Sequence, residues 1–440
     1  MNKLVSGKVC LAASAFFLCI ACKSQQGASK NEDLLNKIIT VKDVKRVEST
    51  LASDDMRGRR TFTPDIDKAA DFIAAEFAAA KLDKLPGANS YKQEFALIRA
   101  TAQSQSAVLD GQSIDNKNIL VITTKEQLKI TETSGYEKVF IKQGTNLQRE
   151  ARGLLQGKKN LLVLVDESFA NSLGNLGRLK NSMFGMDNNL VFVVSNTDPK
   201  TFTIEATHEI KEQPLANVVA MIPGKSKKDE YVVFSGHYDH LGVRKPVDGD
   251  SIYNGANDDA AGTTAMIMLA KYFKALANNE RTILFAAFTA EEIGGFGSRY
   301  FSQQLDPEKV VAMFNIEMIG TDSKWGKNSA YITGYEKTDM GTMLQKNLEG
   351  SGFTFYPDPY PQQQLFYRSD NATLARLGVP AHTISTSKMD NEPNYHKMSD
   401  EVETLDLENM TEIIKAIAIS STSIIAGKET PSRVKVEELR

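Results

Sequence analysis

Beyond residue 22 the sequence contains no cysteine, because the three in the chain are Cys10, Cys19 and Cys22. The remainder can form neither a disulfide framework nor a zinc–thiolate site, so any metal there is held by histidine and carboxylate groups. An excess of either charge is also missing. Lys and Arg number 52 against 55 Asp and Glu, interspersed, for a formal net charge of −3. Without a long basic block there is no electrostatic footprint for nucleic acid. Aromatic residues make up 8% and hydrophobic residues 41%, the balance of an ordinary globular protein, which excludes disorder, collagen and coiled coil. The 440 residues suffice for two or three domains of roughly 150 residues, with a sizeable core.

Long hydrophobic runs are scarce as well, and the N-terminal one is informative. Lys3 and Lys8 precede an apolar stretch from Val9 to Ile20, followed by Ala21, Cys22 and the polar Lys23-Ser24-Gln25-Gln26. The stretch is too short to span a bilayer and has the layout of a signal-peptide core. Leu18-Cys19-Ile20-Ala21-Cys22 resembles a bacterial lipobox, with Cys19 where leucine is usual. Cleavage is then expected before Cys22, which would carry lipid. A plain secretory signal cut nearby is the alternative, and both imply export to the cell envelope, at the periplasm or outer membrane. Residues 1–21 are thus read as signal and 22–32 as a tether rich in Ser, Gln, Lys and Gly.

Apolar spacing predicts helices over Asn36–Ala52 and Asp65–Ala80, the second starting at Pro64-Asp65 and burying Phe72, Ile73, Phe77 and Leu82. From 96 to 213 the texture changes to short β-type runs, such as those around Ile119–Ile122, Lys138–Ile141, Leu161–Val165 and Leu190–Val194, separated by polar loops. We read this as a β-rich accessory domain inserted between an N-terminal helical part, 33–95, and the main domain, 214–427, with a tail over 428–440. In the main domain, apolar strands at Val218–Ile222, Tyr231–Phe234, Thr282–Phe288 and Val310–Ile316 alternate with helices at Ala260–Leu276, Phe296–Gln304, Met340–Glu349 and Asn409–Ile425. That alternation predicts an α/β fold with a mostly parallel core sheet flanked by helices. Ligand sites in such sheets lie beyond the carboxyl ends of the strands.

Those ends carry the chemistry. His237-Tyr238-Asp239-His240 follows the second strand, Asn257-Asp258-Asp259 precedes the Ala260 helix, Glu291-Glu292 follows the third strand, and Glu317 follows the fourth. Like charges on one rim repel by about 4 kcal/mol per pair at 4 Å and an effective dielectric near 20. No matching lysines accompany them, so a metal is the economical counter-charge.

Motifs spread through the main domain resemble the zinc-dependent aminopeptidases of the M28 type. They are SGHYDHLG at Ser235–Gly242, GANDDAAGT at Gly255–Thr263, FTAEEIGGFGS at Phe288–Ser298, NIEMIG at Asn315–Gly320, RSDNATLARLGVPA at Arg368–Ala381 and YHKMSDEVE at Tyr395–Glu403. The resemblance implies two zinc ions, with His237 and Glu317 on one, Glu292 and His396 on the other, and Asp258 shared. Such a pair can activate a water and polarise a carbonyl. It further implies Glu291 as general base, Asp239 as the residue orienting His237, Tyr395 as donor to the oxyanion, and a cis peptide between Asp258 and Asp259. Glu317 departs from the family, where Asp is more usual.

Other residues receive plainer expectations. His208, His240 and His382 are assigned surface or hydrogen-bonded structural roles, and Asp259 a helix cap. Arg368 and Asp370 are candidate substrate contacts or loop braces. The function implied is removal of N-terminal residues from peptides. A glutaminyl cyclase, a carboxypeptidase and a non-catalytic receptor on the same scaffold are the competing readings, and intact ligand and base positions speak against the last. Oligomeric state is not legible.

Overall fold

The computed structural model describes residues 31–247 and 249–439. The signal-peptide and lipidation expectations, Cys22 included, lie outside them. Among the described residues, no helix is long and apolar enough to cross a membrane. The chain divides into two compact units, one made of Met1–Gln93 with Ala216–Arg440 and the other of Glu94–Leu215.

In the first unit, seven strands lie side by side in the order Thr354–Pro357, Ser329–Ile332, Ala381–Ser385, Val310–Ile316, Lys227–His237, Arg281–Phe288 and the 216–222 part of Phe202–Ile222. The four from Ala381–Ser385 to Arg281–Phe288 are mutually parallel. The expected parallel core is therefore present, but its flanks are not parallel. Val218–Ile222 runs antiparallel to Arg281–Phe288, and Ser329–Ile332 antiparallel to Ala381–Ser385. Every residue of Arg281–Phe288 and of Val310–Ile316 is buried, as expected of strands covered on both faces. Alternate side chains feed two cores. Val232, Phe234, Ile283 and Phe285 join the helices Val41–Leu51, Pro64–Ala79, Ala261–Leu276 and Leu407–Ser420. Val233, Leu284 and Met313 pack on the other side with Phe301 and Leu374.

Several sequence expectations need correction. The helix expected over Asn36–Ala52 is two: residues 31–38 are helical, and a new helix, Val41–Leu51, starts after Thr40. The Thr40 side chain accepts from the Asp43 amide at 3.1 Å, and such a cap favours a helix start there. The helix expected to Ile425 is interrupted at Ser421. In the segment expected as a tail, Arg281 donates to the Glu429 carbonyl at 2.7 Å and Arg433 to those of Pro307 and Val310 at 3.0 and 2.9 Å.

The second unit has a four-stranded sheet in the order Ile119–Ile122, Leu190–Val194, Leu161–Val165, Glu137–Ile141. The first pair is antiparallel and the other two are parallel. A helix, Leu147–Leu155, packs Leu147 and Ala151 on one face.

Candidate metal centre

Register brings the site together. In the parallel pair, His237 at the end of its strand stands beside Phe288, the last residue of the next, so Glu291 and Glu292 follow at the same rim. Ile316 stands beside Ile384, and the Glu317 amide donates to the Ile384 carbonyl at 3.1 Å. Non-glycine residues with left-handed backbone border the acidic groups: Ala290 (φ 60°) before Glu291, Met318 (φ 52°) after Glu317, and His396 itself (φ 56°). Such conformations persist where the surroundings over-determine them and concentrate at functional sites.

His237 Nδ1 lies 3.1 Å from the Asp239 carbonyl. A carbonyl only accepts, so Nδ1 carries the proton and Nε2 presents its lone pair. That Nε2 sits 3.2 Å from Asp258 Oδ1, while His396 Nε2 is 3.2 Å from both Asp258 Oδ2 and Glu292 Oε2. Donors about 2.0–2.1 Å from a tetrahedral zinc are spaced roughly 3.3 Å apart, so these separations fit a shared ion. His237 Nε2, Asp258 Oδ2, Glu292 Oε1 and Glu317 Oε2 are buried without hydrogen-bond partners. Orphaned atoms of this kind call for a ligand. Two donor sets share Asp258: His237 with Glu317, and His240 with Glu292, each closing to within 4.8 Å.

His240 belongs to the second of these sets. Expected to be a plain structural residue, it places Nδ1 2.8 Å from Glu292 Oε1 and 3.9 Å from Asp258 Oδ2. It lies inside the same HYDH segment as His237, and that adjacency was the available signal. Asp239 is corrected in detail. It reaches His237 through its backbone carbonyl, its carboxylate standing 3.8 Å away. The carboxylate instead accepts from the Glu291 and Glu292 amides, at 3.0 and 3.3 Å, and so holds the turn that presents both glutamates. Asp370 is buried at 1% exposure and is not among the residues that line the cavity beside the centre. Arg368 and Tyr395 do line it, with Glu317.

The peptide between Asp258 and Asp259 is cis. Asp259 does more than cap a helix: Oδ1 accepts from Gly262 at 3.0 Å and Met318 at 3.1 Å, and Oδ2 from the His237 amide at 3.1 Å. Helix and strands meet without a side chain between them at Gly262, where an added Cβ would collide with the Ile316 carbonyl. The Asn257 and Asp258 amides donate to Asp400, at 2.8 and 3.0 Å. Arg59, fully buried, donates to the carbonyls of Leu51, Tyr238, Asn254 and Gly255 at 2.6–2.9 Å. Sequence reasoning missed Arg59 because it belongs to no motif, whereas Asp400 sits in YHKMSDEVE.

Burial dominates the electrostatics. It raises the Glu291 carboxyl well above its ordinary value, reinforced by Glu317, Asp370 and Glu292 although His237 opposes. Glu317 is pushed up to about 7, again chiefly by burial. Desolvation would lower His237, but Asp258, Asp259 and Glu291 draw it well above its usual value. These are the responses of a crowded acidic centre. Tyr395, stacked on His396 with ring centroids 4.0 Å apart, has its hydroxyl pKa raised, first by burial and then by Asp258 and Glu317.

Comparison with known proteins gives consistent results. The family model of peptidase family M28 matches residues 217–420. A probable leucine aminopeptidase of Trichophyton verrucosum is 28% identical over 209 residues, 45% of this chain and 54% of that relative. A probable zinc metalloprotease of Pyrenophora teres f. teres is 35% identical over 108 residues, 24% of this chain and 23% of that relative. The chain thus spans about half the length, or less, of these curated relatives. Among solved structures, an aminopeptidase from Aneurinibacillus sp. strain AM-1 aligns with 18% identity and a TM-score of 0.53, over 92% of this chain and 98% of that one. A zinc aminopeptidase from Bacillus subtilis aligns with 17% identity and a TM-score of 0.52, over 90% and 98%. At such identities the likeness is one of fold.

Proposed function

Because its 217–420 region belongs to peptidase family M28, we propose that this protein is an exported zinc aminopeptidase that hydrolyses the N-terminal residues of peptides. The observation that carries the reading is the convergence of partnerless donors from His237, Asp258, Glu292 and Glu317 on one rim, with Glu291 next to Glu292 in the chain. His237 and Glu317 would hold one zinc, Glu292 and His396 the other, and Asp258 would serve both, with His240 bracing Glu292. Zinc bound there supplies Lewis-acid polarisation of a carbonyl and a water acidic enough to attack near neutral pH.

The chain's own groups do the rest. Glu291 accepts the proton of the attacking water on its carboxylate and returns it to the leaving amine. Asp239 fixes the backbone that aims Glu291. The Tyr395 hydroxyl, kept protonated by its raised pKa, donates to the oxygen on which charge develops. Export rests on the N-terminal pattern, with Cys22 as the lipid-bearing residue and the cell envelope as destination.

Elemental analysis of the form beginning just after Cys22, paired with aminoacyl, N-blocked and C-terminal test peptides, tests this reading. About two zinc per chain and cleavage of free-amine substrates alone are expected. Metal-free protein at full activity, or cleavage of N-blocked peptides, would overturn it.

A further inference from the structure

A small open cavity of about 40 Å³ adjoins the metal centre, and Glu317, Tyr395 and Arg368 are among the residues that line it. Met318, Leu365 and Met389 supply apolar wall. The hydroxyl groups of the wall face inward: Thr383 donates to Asn371 Oδ1 at 2.8 Å, Ser385 to the Met318 carbonyl at 3.3 Å and Ser387 to Glu392 Oε2 at 3.2 Å. They are spent on the protein. Arg368 is not. It is exposed, it forms no ion pair among the described residues, and of its five N–H donors one makes a long 3.4 Å bond to Gln363 Oε1. A guanidinium with a free fork, lining a cavity of hydroxyl-bearing residues with Met318, Leu365 and Met389 beside the proposed peptide-cleaving centre, matches a carboxylate.

We propose that Arg368 anchors a carboxylate of the substrate, so that the protein selects peptides bearing one close to the scissile bond. This rests on the aminopeptidase reading. The carboxylate has two sources, the acidic side chain of the first residue or the free C-terminus of a very short peptide, and both meet Arg368 with the same chemistry.

The test uses the zinc-loaded chain and two pairs of compounds. Glutamyl amide against glutaminyl amide isolates the side chain, and Leu-Gly against Leu-Gly amide isolates the C-terminus. The expected result is that R368Q lowers kcat/KM for the carboxylate member of one pair roughly ten- to a hundredfold while its neutral partner changes by less than about threefold. R368K should keep part of the preference, and salt should weaken it. The pair that responds identifies the source. Equal losses within both pairs, or none, would overturn the proposal. If wild type cleaves none of the four, the aminopeptidase reading fails by itself. Calorimetric binding of the same compounds to Glu291→Gln, with and without R368Q, then decides the role of Arg368. Tighter binding of a carboxylate member that R368Q abolishes supports the anchor, and equal or undetectable binding overturns it.

Discussion

The two units contain strands that are hard to tell apart and rims that are not. Leu161–Val165 in the inserted unit and Arg281–Phe288 in the main one are both wholly buried and parallel-paired, and both send alternate residues into two cores. The acids beyond their carboxyl ends differ. Asp166, after the first, accepts from the Ser168 amide at 2.9 Å, and Asp198, beyond the neighbouring strand Leu190–Val194, pairs with Lys138 at 2.7 Å in an exposed bridge. Both of these acids are satisfied by their own neighbourhood. After the second, Glu292 meets Asp258 and two histidines, with oxygens left over. A sheet is therefore no mark of a site. The mark is a set of strand-end carboxylates that the local chain does not satisfy.

The sharpest way to break that comparison is to remove chemistry from the main rim without touching its frame. Glu291→Gln should lower turnover by about 10²–10⁴-fold while zinc content stays near normal, because it removes a proton acceptor and no ligand. The matched change in the other unit, Asp166→Asn, should leave turnover unchanged, and a loss there would mean the inserted unit contributes to catalysis. Next in size, Asp400→Asn weakens the acceptor for the Asn257 and Asp258 amides. Outer-shell losses of this type cost roughly 10–100-fold in metal affinity, measurable by chelator competition. Gly262→Ala should destabilise the main unit by about 1–3 kcal/mol through forced displacement at the Ile316 carbonyl. Amide exchange resolved by unit should show the loss in the main core and not around Leu161–Val165.

Much of this was legible because strand, loop and helix alternate with strong hydrophobic contrast and the rim residues fall at strand ends, where register alone makes them neighbours. The core strands and the acidic rim follow from that pattern. The edges do not. Ser329–Ile332 and Thr354–Pro357 are short strands whose pairing, not their composition, makes them strands. Contacts through backbone atoms were equally opaque: Arg59 acts by donating to carbonyls, and Asp239 uses its carbonyl for one neighbour and its carboxylate for others. Side-chain type does not say which atom will be used. His240 shows the opposite failure, a residue inside a motif whose role waited on the geometry.

The smallest expected effect compares one buried histidine from each unit. His382 and His208 are 1% and 5% exposed, and burial pushes both down to about 4. With an unfolded value near 6.5, each is neutral when folded and protonates on unfolding below that pH, so stability is full above about 6.5 and falls as pH drops towards 4. The loss is bounded at about 3 kcal/mol apiece. The partners differ. His382 donates from Nδ1 to the Thr333 carbonyl at 2.8 Å and its Nε2 lies 2.7 Å from the Thr338 hydroxyl. Neither ring nitrogen of His208 makes a well-formed hydrogen bond, although the Val121 carbonyl is near. His208→Leu should therefore relieve acid sensitivity in its unit at little cost near pH 7.5. His382→Leu should relieve the same sensitivity but lower stability at pH 7.5 by about 1–3 kcal/mol, because it strands a buried carbonyl and a hydroxyl. Denaturant midpoints at pH 5 and 7.5 separate the two, and equal costs at pH 7.5 would show that burial, not partnering, sets the worth of a histidine in both units.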